Sequence, residues 1–355
     1  MADIRSLERT LAENVTWNKA RINFLAKFLV AIIQVKTVCL TEIASVFAGS
    51  AETDSHYKRI QRFLRFFEMS YGSVAWLVVR LLPREAPWVL TLDRTNWKLG
   101  ETNLNILMLG IVYKGVAFPL LWSVLEKRGN SNTAERIALM DEFISLCGAS
   151  SIEYLCADRE FIGKRWFAYL ESYAIDFRIR VRHNTLIPNA RGELVSAWKL
   201  FRAGRVDEPV VFDRARRIWG LDLYVSGMRL ARGEYLILLA PQYHATAIEE
   251  YAQRWEIETL FGCLKSRGFC LEKTHVTNPE RLKKLVALLT IAFCWAHLVG
   301  EWLVELTPLK IKRHGRLAKS IFRHGFDHLR RILCNLSEPA QVVKFRQVIQ
   351  LLSCT

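Results

Sequence analysis

At 355 residues, with 50 Lys and Arg against 35 Asp and Glu, the chain carries a formal charge of +15 and an isoelectric point near 9.6. A hydrophobic fraction of 51%, with nine Pro and 18 Gly, excludes a disordered tail, a collagen and a low-complexity sequence. The surplus charge sets up a positive field suited to a polyanion, with nucleic acid ahead of an anionic membrane surface.

The opening MADIRSLERTLAEN alternates charges and lacks the apolar core of a signal peptide. Residues 1–82 read as helical, because apolar residues recur at three and four spacings in ARINFLAKFLVAIIQ and in HYKRIQRFLRFFEMSYGSVAWLVVRLL. A short helix from Thr41, a turn at Gly49 and a helix capped near Asp54 resemble a helix-turn-helix element, with Lys58, Arg59, Arg62 and Arg65 on its second helix. Pro83 and Pro87 then mark a boundary, and strands begin. WVLTLD (88–93) is followed by NLNILMLGIVYK and VAFPLLWSVL, which flank a hairpin turn at Lys114-Gly115. Glu135 and Gly148 bracket a helix over ALMDEFISLCG. IEYLCAD is the next strand, a helix runs from about Lys164 to Tyr173, and FRIRVRH (177–183) is a strand again. The order β-β-β-α-β-α-β predicts an α/β fold with a mixed sheet and helices packed on it.

Residues 182–242 form a β-rich insertion. Arg178 to Arg232 holds 12 Arg or Lys against five acids. A long helix begins near Thr246, and the final third is helical, with eight Lys or Arg against Asp327 alone between Leu306 and Ile332. Leu285–Val304 is long enough to span a bilayer but contains His297 and Glu301, so it reads as a buried helix and no membrane partner is expected. The eight cysteines (Cys39, Cys147, Cys156, Cys263, Cys270, Cys294, Cys334 and Cys354) form no C-x-x-C pair, which predicts reduced thiols and a cytoplasmic protein. His324 and His328 stand four apart among arginines, a poor setting for a metal and a better one for a solvated or DNA-facing helix.

Two strands end in an acid: Asp93 closes TLD and Asp158 closes YLCAD. Each is readable as a turn residue or as one member of a carboxylate site, and the second reading needs a third acid. At 100° per residue, a helix over Thr246–Lys265 would put Tyr251, Arg254, Glu258 and Lys265 on one stripe about 60° wide. That stripe is either a solvated face with an Arg254–Glu258 pair, or phosphate-binding donors set around a metal-binding acid.

The pattern Y-x-x-R-x-x-x-E-x-x-x-x-x-x-K, filled by these four residues, resembles the signature of DDE transposases of bacterial insertion sequences, insertion-sequence family four. LTLDRTNWK around Asp93 and ADREF around Asp158 resemble that family's other two acidic blocks, and the similarity spans about Pro87 to Phe269. The resemblance implies a ribonuclease-H-like mixed sheet with a β-rich insertion, flanked by N-terminal and C-terminal helical regions. It implies a helical DNA-end-binding domain over 1–82, a catalytic core over 83–181 and 243–280 interrupted by the insertion, and a helical dimerisation or DNA-contact region over 281–355.

It further implies that Asp93, Asp158 and Glu258 bind two Mg²⁺ ions, for which Mn²⁺ can substitute. The implied activity is cut-and-paste transposition through a DNA hairpin, by a homodimer holding terminal inverted repeats and target DNA in the bacterial cytoplasm, with no small-molecule substrate. Tyr251, Arg254 and Lys265 would grip phosphates, and Arg159 and Glu160 would orient DNA or the metal site. Trp219 would stack a flipped base, with Trp198 in reserve. Asn96, Trp97 and Arg62 are further DNA-contact candidates. Two other readings stay open on sequence alone: a DNA-binding protein derived from a transposase, and a ribonuclease-H-like metal nuclease without strand transfer.

Overall fold

A computed structural model of the chain describes residues 2–313, 315 and 317–353; Cys354, and Arg316 of the basic 306–332 segment, lie outside the described residues. Five helices come first: α1 (Ala2–Asn14), α2 (Lys19–Val35), α3 (Leu40–Ser45), α4 (Thr53–Phe66) and α5 (Tyr71–Leu81). Strands β1 (Trp88–Leu99), β2 (Thr102–Tyr113) and β3 (Val116–Val124) follow, then α6 (Thr133–Cys147), β4 (Ile152–Ala157), α7 (Lys164–Ser172) and β5 (Phe177–Arg180). The insertion holds β6 (Leu186–Pro188), β7 (Leu194–Ser196), β8 (Val210–Val211), β9 (Arg216–Ile218), β10 (Leu221–Arg229) and β11 (Tyr235–Ala240). Helices α8 (Ala247–Tyr251), α9 (Trp255–Leu264), α10 (Pro279–Leu306), α11 (Ile321–Cys334) and α12 (Pro339–Gln350) complete the chain.

The chain divides into two compact units. A sheet unit comprises Arg84–Asn96 and Asn105–Thr259, and a helical unit comprises the chain up to Pro83, Trp97–Leu104 and the chain from Leu260 onward. Nine strands form one sheet in the order β3-β2-β1-β4-β5-β11-β10-β8, with β9 paired to β10. β1, β4 and β5 are parallel, while β2–β3, β5–β11 and β10–β11 are antiparallel. Strands β1 to β5 therefore have the ribonuclease-H-like order, and β11 carries the insertion's strands onto the same sheet. The hairpin turn falls at the expected place: Lys114 (φ 47°) and Gly115 (φ 87°) both take the left-handed conformation that a two-residue hairpin requires. Helix α6 opens on a capping box between Asn132 and Glu135 and ends at Gly148.

In the helical unit, α10 is the buried axis. Asn278 caps it and Pro279 fills its first turn. Its Lys284 Nζ donates to Leu64 O (3.1 Å) and its Trp295 Nε1 donates to Val348 O (2.8 Å), so a charge and an indole are satisfied inside the unit. Helix α10 is long and apolar enough to cross a membrane, but 89% of its most apolar window is buried by the rest of the fold. Helix α11 crosses it with backbones touching. A Cβ on Gly325 would lie 2.0 Å from Ala296 O, and one on Gly300 would lie 2.1 Å from Ile321 O.

Several boundaries differ from those predicted. β1 runs past Asp93 to Leu99, because Thr95 in the polar TNWK stretch is buried and keeps the alternation going. β5 stops at Arg180 instead of His183. Helix α4 is entered at Glu52, which leaves Asp54 in its first turn. The signature helix is not continuous: a 3₁₀ turn at Ala252–Arg254 separates α8 from α9, tightening the winding between Tyr251 and Glu258. The seven described cysteines are free.

Candidate active site

Parallel pairing places the first two acids side by side. Leu92 of β1 is in register with Ala157 of β4, and each aspartate is the next residue along. Before them both strands are buried apolar runs, which fixes their place in the sheet and leaves the acids where burial begins to fall. The third acid, Glu258, lies in the first turn of α9.

Arg254 joins the first acid to the third. Its Nη1 donates to Asp93 Oδ2 (3.2 Å) and its Nη2 to Glu258 Oε1 (2.7 Å). Arg254 is 3% exposed, and its guanidinium lies 4.6 Å from the Trp255 ring centroid and 5.8 Å from that of Tyr251. Tyr251 itself is buried beside Leu238 and Ile248, and its hydroxyl has no hydrogen-bond partner. It supports Arg254 from within the core and is not presented at a surface. Burial pushes the Asp93 carboxyl up to about 7, against the opposing pull of the Arg94 backbone N–H and of Arg254. Asp158 stands 4.0 Å from Arg180 Nη1, and its buried Oδ1 has no hydrogen-bond partner. Among the described residues, no three His, Cys, Asp or Glu side chains are grouped closely enough to share a cation, because the guanidinium stands between Asp93 and Glu258.

The remaining candidates fall in different places. Glu160 is engaged by Arg94, whose Nε and Nη2 donate to its two oxygens at 3.2 Å each. Arg159 is exposed and lines a cleft of about 630 Å³ with Arg180, His183, Trp198 and Tyr235. Trp219 is not in that cleft: at φ 51° it turns β9 into β10, and its ring packs edge-on against Phe167 (5.4 Å). Asn96 is exposed on β1. Within the helical unit, Lys265 lies 5.2 Å from the Trp97 ring centroid and pairs with Glu272 (3.0 Å). Arg62 lines a basic cleft of about 490 Å³ with Lys58, Arg65, Arg281 and the exposed Phe66.

Sequence reading missed Arg94, Arg180 and Glu256. Arg94 adjoins Asp93 in the quoted LTLDRTNWK block, but only the fold reveals its partner. Glu256 is a half-buried carboxylate that accepts backbone N–H bonds from Tyr113 (3.0 Å), Gly115 and Val116, so it fastens α9 to the β2–β3 turn. Burial raises its pKa from 4.5 to about 7 despite those donors. The raised value means that the folded state binds more protons than the unfolded chain between pH 4.5 and 7, so Glu256's contribution to stability falls as pH rises through that window. Glu256→Gln should abolish this slope. Urea unfolding should show the variant gaining on the wild type by on the order of 1–2 kcal/mol between pH 5 and pH 8. A pH-independent difference would place the titration elsewhere.

Two acids on adjacent parallel strands, each where the strand's buried apolar run ends, with a third on a later helix in this strand order, are the architecture of a ribonuclease-H-like phosphoryl transferase. Residues 85–295 match the family model described as Transposase DDE domain, and the chain belongs to that family of DNA-cleaving and strand-transferring enzymes, which use divalent metal ions. Among solved structures the chain is similar to the cryo-EM structure of the piggyBac transposase synaptic complex with hairpin DNA. That likeness has 14% identity and a TM-score of 0.49, over 99% of this chain and 83% of the other. No curated protein matches the sequence significantly.

Proposed function

We propose that the chain is the cut-and-paste transposase of an insertion sequence of family four, acting as a homodimer in the bacterial cytoplasm on two terminal inverted repeats and a target duplex. The observation that carries this reading is the register that sets Asp93 beside Asp158, with Arg254 linking Asp93 to Glu258. The spacing of Tyr251, Arg254, Glu258 and Lys265 supports the family-four assignment.

The residues suit hard divalent cations. All three acids are oxygen donors, Asp93 is a largely buried carboxyl whose proton affinity burial raises, and Asp158 has a buried oxygen with no hydrogen-bond partner. Mg²⁺, or Mn²⁺ in its place, would supply charge neutralisation to the reacting oxygens, as a pair held by Asp93, Asp158 and Glu258. Arg254 holds Asp93 and Glu258 in the ion-free protein and turns toward phosphate when DNA is present. Lys265, Arg159, Asn96, Trp97 and Arg62 contact the DNA.

In this reading water attacks a phosphodiester at each element end and frees a 3′-OH. That hydroxyl attacks the opposite strand, which closes a hairpin on the element and releases the flanking DNA. Water reopens the hairpin, and the regenerated 3′-OH attacks the target. Each step exchanges one P–O bond for another. The flipped base that hairpin closure requires fits Trp198 better than Trp219, because Trp198 lines the cleft of Arg159 and Arg180 whereas Trp219 packs on Phe167. Stacking there is worth about 1–3 kcal/mol per base.

Sequencing the genomic DNA that flanks the coding region identifies the inverted repeats. Purified protein with such DNA and Mg²⁺ should give nicks at the repeat boundary, a hairpin on the element end and joined products. Cleavage without end preference or joining would make the chain a plain nuclease, and binding without cleavage would make it a DNA-binding derivative.

A further inference from the structure

We infer that Arg94 and Glu160 form a clamp that positions the two catalytic aspartates, so that Glu160 acts through Arg94 and not by touching DNA. The inference rests on the assignment of Asp93 and Asp158 as metal-binding acids. Arg94 directly follows Asp93 and Glu160 stands two residues after Asp158, so a bond between them joins the two chain segments just beyond the acids. The bond is bidentate, with Nε to Oε1 and Nη2 to Oε2, both 3.2 Å. The two side chains are only 12% and 18% exposed. A planar fork meeting both carboxylate oxygens fixes orientation as well as distance, which a lysine could not do.

The clamp is itself braced. Arg94 Nη1 donates to Asn105 Oδ1 (3.1 Å), and Asn105 is 1% exposed and donates onward to the carbonyls of Lys127 and Gly129, 3.1 Å each. Arg94 Nη2 also reaches Asn130 Oδ1 (3.2 Å). On the other side, buried Arg136 donates to the Glu160 carbonyl (2.8 Å). The Arg94 backbone N–H donates to Asp93 Oδ1 (2.7 Å), so the main chain that carries the clamp also holds the Asp93 carboxylate. Both Glu160 oxygens are occupied by Arg94, and the pair places no net charge beside the acids. A third carboxylate left unpaired there would repel phosphate.

The test uses the full chain and Mn²⁺ alone as probe. Mn²⁺ binding is read by electron paramagnetic resonance, duplex-DNA binding is read in EDTA, and the thermal midpoint is measured for each protein. Outer partners of metal ligands typically control ion affinity by 10–100-fold. Glu160→Gln and Arg94→Gln should therefore weaken Mn²⁺ binding about tenfold or more and leave DNA affinity in EDTA within twofold. Arg94→Lys should fall between them and the wild type. The exchanged pair Arg94→Glu with Glu160→Arg should regain most of the lost ion affinity, a rescue that general destabilisation would not give. Mn²⁺ affinity unchanged in Glu160→Gln overturns the clamp, as does tighter DNA binding in EDTA, which would mark Glu160 as a DNA-facing charge. Asp158→Asn separates the two levels. If it loses Mn²⁺ while Glu160→Gln does not, only the clamp fails; if it binds Mn²⁺ like the wild type, the acid assignment and the clamp both fall.

Discussion

Asp158→Asn or Glu258→Gln should lower cleavage and joining of terminal-repeat DNA by about a thousandfold or more, with the fold and DNA binding retained. Phosphoryl transfer leaves little covalent chemistry to the protein. Catalysis lies in holding charge against the reacting oxygens, so losing one carboxylate of a set that acts together removes most of the acceleration. The same substitutions cost the folded state little. The Asp158 Oδ1 has no hydrogen-bond partner to lose, and a Gln at 258 keeps an oxygen for Arg254 Nη2. Single-turnover assays in Mg²⁺, paired with thermal unfolding, check both halves. A variant that cleaves as fast as the wild type would remove that acid from the site.

Gly325→Ala should disrupt the helical unit, and Gly300→Ala should do nearly the same. The added methyl at 325 would lie 2.0 Å from Ala296 O and 2.3 Å from Gly300 N, both main-chain atoms of α10 that no rotamer change can move. Helix α11 would have to withdraw from α10, opening the packing of Phe322, Phe326 and Leu329, which are fully or almost fully buried. Overpacking alone costs about 1–3 kcal/mol, and a clash with fixed backbone belongs at the top of the mutational range, about 4 kcal/mol or more. Gly262→Ala is the control. There the methyl would meet only the flexible Arg267 side chain at 3.1 Å, and alanine is the better helix former by about 1 kcal/mol. Denaturant midpoints should fall steeply for the first two variants and hold or rise for the third. Equal midpoints in all three would mean that the helices can separate freely.

The parts of this molecule legible in the sequence are those with local causes. Asp93 and Asp158 end apolar runs, and the Lys114-Gly115 turn and the Glu135 capping box have signatures within four residues. The site's electrostatics were not legible, because they depend on which side chains meet across the fold. A helical wheel put Tyr251, Arg254 and Glu258 on one stripe, but a wheel cannot show that the stripe faces inward, or that a 3₁₀ turn re-aims it. Arg254 therefore read as a phosphate donor, whereas the folded chain holds it between two carboxylates. Trp219, flanked by arginines, is the base-stacking candidate of the sequence, and its flanks do not say which way its ring turns. Its left-handed backbone turns the ring onto Phe167 instead. The resemblance gives Glu160 a part in orienting DNA or the metal site, but nothing near it in sequence names Arg94 as its partner.

The register of β1 on β4 also limits how this gene can change in length. One codon inserted between Val89 and Asp93, or between Tyr154 and Asp158, would turn the carboxylate to the opposite face of the sheet, because side chains alternate along a strand. The irregularity in that pairing lies at Trp88–Val89, upstream of the acids, where it leaves their alignment untouched. Loops after β5 carry no such alignment, so segments such as Arg202–Pro209 can gain or lose residues without moving either aspartate. Relatives of this chain should therefore differ in length in such loops and keep those two short stretches unchanged in length.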